Sequence, residues 1–175
     1  MGKVTITAFK FDTPDGAGQM LELVQQLARE AQSSRGGELI TLEDAAMVTW
    51  SPGDKKPRTR HLGDMTGAGA LGGVFWGLLF GQIFFVPFLG MAVAAAMGAL
   101  AGKFSTYGID NRFVRSVGEQ VVEGTSALFL MTSSSVVDRV AEAARQKGWA
   151  FEIISTNLPE EQENKLREAF AHEGY

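Results

Sequence analysis

Cysteine is absent from the chain, which removes disulfides, thiolate metal sites and a thiol nucleophile together. Histidine is scarce. His61 and His172 are the only two, so an imidazole-based metal or acid–base centre has little material, and neither a metal nor a cofactor is expected. There is no basic excess either. Lys and Arg total 16 against 20 Asp and Glu, and a net charge of −4 offers nucleic acid no footprint. A secretory leader is not expected, because Met1-Gly2-Lys3 runs directly into Val4-Thr5-Ile6-Thr7-Ala8-Phe9, which alternates like a half-buried strand. Ile6 stands where a myristoylation signal wants Ser or Thr.

The most telling absence is local. From Met65 to Gly102 the chain has no Asp, Glu, Lys or Arg, and Gln82 is the only strongly polar side chain after Thr66. A membrane-spanning helix needs about 20 mostly apolar residues, so the run is long enough for two. Pro87, in Val86-Pro87-Phe88, lies near its midpoint, where a missing N–H and a restricted preceding residue favour a reversal. The pattern predicts a helix from Thr66 to Phe85, a turn at Pro87, and a second helix from Phe88 to Phe104.

Small residues recur through this run. Gly69, Gly73, Gly77 and Gly81 fall every fourth position, and Gly90, Ala94, Gly98 and Gly102 repeat the spacing. Residues four apart share a helix face, so each helix would carry a smooth stripe. Glycines weaken a helix in water, but in lipid they let backbones meet closely. The expectation is a glycine zipper joining helices within a hairpin or between subunits; a buried, Ala/Gly-rich hairpin in a soluble protein is the alternative. Gly67 to Gly72 matches a dinucleotide fingerprint, but no acid follows about 20 positions on. Gly98 to Ser105 is one residue short of a phosphate loop and has Phe104 at the metal-binding position. Gln82 is expected in a helix–helix hydrogen bond.

Basic residues border the run. Lys55, Lys56, Arg58 and Arg60 precede it, and Lys103, Arg112 and Arg115 follow. Positive charge stays on the cytoplasmic side of a bilayer, so both termini are expected in the cytoplasm and the hairpin in the inner membrane. Lys55, Lys56, Arg58 and Arg60 could contact anionic lipid head groups or could form a solvated loop.

The flanks are polar and periodic. Thr13-Pro14-Asp15 opens a helix with Ala17, Met20, Leu21, Val24, Leu27, Ala28 and Ala31 on one face, closed by Arg35-Gly36-Gly37. Strand-like runs cover Leu39–Leu42, Ala46–Trp50 and Pro57–Leu62, with a turn at Ser51-Pro52-Gly53-Asp54. After the apolar run, a helix is expected from Ile109 to Val122 and a buried strand over Ser126–Thr132. A helix capped by Ser134 or Ser135 and ended by Lys147-Gly148, a strand at Ala150–Ser155, and a last helix after Pro159 complete the chain. This alternation suggests an α+β sandwich, one sheet with helices on one face.

Asp44-Ala45-Ala46-Met47-Val48, the glycine-rich run, Tyr107-Gly108-Ile109-Asp110 and Val122-Glu123-Gly124-Thr125-Ser126-Ala127-Leu128-Phe129-Leu130 together carry a resemblance. The chain is similar to an uncharacterised bacterial membrane-protein family, a domain of unknown function. Glu123 departs from it, since the family usually has Pro there. The resemblance implies a ferredoxin-like sandwich interrupted by an inserted glycine-rich helical hairpin, with 1–64 and 105–175 as halves of one domain and 65–104 as the hairpin. It carries no catalytic residues. Asp44, Asp64, Asp110, Glu119 and Glu123 lie near the run, and no spacing pairs one with a histidine or a second acid. The expectation is a non-enzymatic, membrane-anchored, homo-oligomeric module that binds or organises a protein partner, with a stress or envelope role among its readings. A small channel or transport component is one alternative. A soluble oligomer whose hairpins bury each other is another.

Overall fold

Eight residues, Ser126 to Ser133, form the strand about which the sheet is built. Their sequence, SALFLMTS, is a nearly unbroken apolar run, the signature of a strand covered on both faces. In the computed structural model, which describes residues 4–33, 42, 44–62, 72–85, 109 and 111–158, this strand occupies the centre of a five-stranded sheet. In chain order the elements are β1 (Val4–Phe11), α1 (Gly16–Ser33), β2 (Asp44–Thr49), β3 (Arg58–His61), α2 (Gly72–Phe80) with a π-helical turn (Gly81–Phe85), α3 (Asn111–Gln120), β4 (Ser126–Ser133), α4 (Ser134–Gln146) and β5 (Glu152–Leu158). The sheet order is β3-β2-β4-β1-β5, and every adjacent pair is antiparallel. The result is a mixed α/β fold with four α-helices among the described residues.

Alternation along the strands sends side chains to two separate cores. Ile6, Ala8, Ala46, Val48, Ala127, Phe129 and Met131 point to one face, where α2, the π-helical turn and α3 cover them. Phe9, Phe11, Ala45, Leu128 and Leu130 point to the other, under α1 and α4. Helices therefore lie on both faces, not one. The expectation that β1 is half-buried fails for the same reason: Thr5 and Thr7 are buried as well as Ile6 and Ala8, because both faces of the sheet are covered. Their hydroxyls hydrogen-bond each other at 3.1 Å.

Helix α1 buries Ala17, Met20, Leu21 and Val24, as its stripe predicts, and Leu23 besides. Each large apolar side chain so covered contributes roughly 1.5–3 kcal/mol. Its first turn is tied to the centre of the sheet. Ser126 Oγ accepts from the Ala17 N–H at 2.9 Å and donates to the Thr13 carbonyl at 2.7 Å. Gly16 is required by space, since a Cβ there would collide with Phe11. Helix α4 ends as Lys147-Gly148 predicts: Gly148 has φ +79°, its N–H reaches the Arg145 carbonyl, and the Trp149 N–H reaches that of Ala144. α3 spans Asn111–Gln120 where Ile109 to Val122 was expected; Phe113 and Val117 on it are buried, as are Ile109 and Val121 beside its ends.

The membrane expectation is overturned in the apolar run. Among the described residues no helix is long and apolar enough to cross a membrane. Where a span from Thr66 to Phe85 was expected, α2 has nine residues and gives way to a five-residue π-helical turn. At about 1.5 Å per residue, nine residues fall far short of a hydrocarbon core of about 30 Å. Phe75, Trp76, Leu79, Phe80 and Phe84 are instead buried against the sheet. Phe129 takes rings from three directions, with centroids at 5.0 Å for Phe80, 6.2 Å for Trp76 and 6.4 Å for Phe113. The missing charge marks a helix that covers the second face of a two-faced sheet, and inner-membrane localisation loses its support. The transmembrane-hairpin expectation goes with it; Pro87 and the second predicted helix lie outside the described residues.

The glycine zipper is corrected where it can be seen. Gly77 is exposed, and among the described residues a Cβ added to it would meet nothing within 4 Å, so no described backbone presses on it. Gly73 lies in α2, and Gly81 is buried at the start of the π-helical turn. Gly69, Gly90, Ala94, Gly98 and Gly102 lie outside the described residues.

Candidate functional site

The end of the sheet formed by β2 and β3 gathers most of the polar chemistry. Pairing sets Met47 opposite Arg60 and Thr49 opposite Arg58, with Ala46 opposite His61 on the other face. Since residues two apart share a face, Asp44 sits diagonally from His61. Asp44 Oδ1 lies 2.8 Å from His61 Nε2 and accepts from the Ala45 N–H, also at 2.8 Å. The carboxylate is fully buried, while the imidazole keeps 26% of its side-chain surface exposed.

This pair was missed in the sequence because its members are 17 positions apart and meet only through strand register. A buried carboxylate that orients an imidazole is one half of a general-base arrangement. No group of three His, Cys, Asp or Glu side chains able to hold a metal occurs among the described residues. What the pair does here is fasten β3 to β2, helped by the bond from the Leu62 N–H to the Ala45 carbonyl.

Below the pair, two turns are sewn together. The Gly124 N–H donates to the Trp50 carbonyl at 2.7 Å, and the Trp50 N–H donates to the Thr125 carbonyl at 2.9 Å. Trp50 Nε1 donates to the Asp54 carbonyl at 2.8 Å, and its ring meets Phe84 edge-on. Gly53 and Gly124, with φ +89° and +86°, turn these loops in a region that side chains avoid. Glu123 accepts from the Gly53 N–H, so the departure from the resembled pattern is a cross-link between the turns. Glu123 and Glu119 are exposed, and Asp64 and Asp110 lie outside the described residues.

The four basic residues divide by element. Lys55 and Lys56 are exposed in the bend before β3, and Arg58 and Arg60 are exposed on β3 itself. Arg58 and Arg60 line a groove of about 290 Å³ with Met47, Thr49, Ser51 and Thr59. Gln82 is half-buried in the π-helical turn, with Oε1 buried and unpartnered among the described residues, so the expected helix–helix hydrogen bond is not made by that atom.

A family described as "Protein of unknown function (DUF1269)" matches residues 70–171, more than half of the chain. The chain belongs to the DUF1269 family. No curated protein and no solved structure matches it. The DUF1269 match begins just before α2 and takes in α3, β4, α4 and β5, but not β1, β2 or β3. In this chain the matched part is not a sheet by itself, because β1 lies between β4 and β5 and pairs with both. The Asp44–His61 pair and the groove likewise lie outside the DUF1269 match.

Proposed function

We propose that the protein is a non-enzymatic module that self-associates through the outer edge of β5. The observation that carries this reading is the contrast between the two ends of the sheet. β3, at one end, has four residues and includes Arg58, Arg60 and His61, the kind of short, charged edge that discourages strand pairing. β5, at the other end, has seven residues, EIISTNL, with no Lys, Arg or Pro. Ile153 on it stays 39% exposed, although it is opposite Phe9 of the buried core. A long, nearly uncharged edge with an exposed apolar side chain is a template for a second strand. The occupant that satisfies a twofold axis is β5 of a second copy, antiparallel to the first.

The architecture fits this use. We read the interleaving of β1-α1-β2 with β4-α4-β5 as ferredoxin-like, with β3, α2 and α3 added between the halves. The non-enzymatic reading is supported by the scarcity of catalytic side chains in the sequence, with no cysteine and two histidines far apart. Sedimentation equilibrium of the full chain tests the proposal, with Ile153→Lys/Ser155→Lys as the edge variant. The wild type is expected to be a dimer and the variant a monomer that still melts cooperatively, at a temperature that no longer depends on protein concentration. A monomeric wild type, or a variant that dimerises equally well, would overturn the assembly.

A further inference from the structure

We infer that the groove on β2 and β3 binds a small phosphate ester with an apolar substituent. Strand register builds it. Met47, Thr49, Arg58 and Arg60 project from the same face, and Ser51 and Thr59 complete the lining. The face is the one that α1 and α4 cover further in, where Ala45 and Leu128 are buried; at β3 that cover ends, and Arg58 and Arg60 are exposed. No carboxylate is among the six lining residues.

Charge and chemistry select the ligand. The molecule is acidic overall, yet Lys55, Lys56, Arg58 and Arg60 stand within six positions of one another. A local cation cluster on an anionic protein concentrates small anions from solution. Two guanidinium groups on one strand face can each present paired donors to a phosphate, with hydroxyls of Thr49 and Ser51 beside them. Met47 adds a soft apolar surface suited to the ester substituent rather than to the phosphate. The groove volume of about 290 Å³ holds a small molecule, not a folded partner.

The same phosphate chemistry occurs on a lipid head group, so the test separates the two sources. Phenyl phosphate and inorganic phosphate are titrated into the full-length chain while backbone amide shifts are followed. Phenyl phosphate is expected to move the amides of 47–51 and 58–60 saturably and to bind more tightly than inorganic phosphate. Arg58→Gln/Arg60→Gln should weaken it about tenfold or more in a variant that still melts cooperatively. Met47→Ala should weaken phenyl phosphate and leave inorganic phosphate unchanged. Phosphatidylcholine vesicles containing phosphatidic acid should not sediment the protein. Shifts elsewhere, equal binding by the arginine variant, or sedimentation with vesicles in place of phenyl phosphate binding would each overturn the inference.

Discussion

Ser126 shows how much one hydroxyl can do when the fold brings a strand to a helix end. A helix leaves its first N–H groups without intrahelical partners, and a nearby cap residue commonly satisfies them. Here the partner is 109 residues away: Ser126 Oγ accepts from Ala17 while it donates to Thr13. Ser126→Ala should therefore cost about 1–2 kcal/mol, the value of a lost cap plus a buried N–H left unpaired. Urea unfolding of the two chains measures it, and Ser126→Thr should recover part of the loss. Thr13, which the sequence offers as the cap, contributes its backbone carbonyl instead. A local pattern can say that a helix starts near Pro14; it carries no information about a donor or acceptor arriving from β4.

At the scale of elements, α2 separates two explanations of the same glycines. A zipper would place Gly77 against another backbone, and any side chain there would hold the helices apart. The structure leaves open space beyond Gly77, so the helix gains from a better helix former. Gly77→Ala is expected to raise stability by about 0.4–1 kcal/mol, through a less flexible unfolded chain and higher helix propensity. Thermal denaturation checks the sign, and a fall in melting temperature would restore the close-packing reading. Other elements were legible from their periodicity. The buried faces of α1, α3 and α4 and the glycine stop of α4 follow from spacing and from the φ > 0 position at Gly148. β3 was legible as a strand, but not its place at the sheet edge or the meeting of His61 with Asp44. Register is set by which face each strand must bury, which depends on all its neighbours.

For the whole molecule, the decisive matter is what covers the second face of the sheet. Leu79 and Phe80 are buried there beside Phe129, Ala46 and Val117. Replacing both by Ser should destabilise the full chain by several kcal/mol, since a buried Leu or Phe reduced to Ala alone costs about 2–5. The two sites are in one cluster, so the sum will not be strictly additive. Loss of a cooperative melting transition, with dye binding to exposed apolar surface, is the expected result. An unchanged transition would mean that α2 is dispensable to the sheet.

Among the described residues the amino-acid sequence by itself located β1, α1, β2, β3, α3, β4, α4 and β5 to within a few positions, because apolar spacing, turn glycines and β-branched runs act over a few residues. It also determined that the run after Met65 must leave water, since no charge or strong polar group besides Gln82 could keep it solvated. Only the tertiary structure decided what receives its described part, α2 and the π-helical turn. A helix without charges loses its hydration to lipid or to a protein face with similar driving force, and the choice depends on whether an uncovered apolar face exists elsewhere in the chain. β1, β2 and β4 assemble such a face from segments more than 120 residues apart, which no local spacing records.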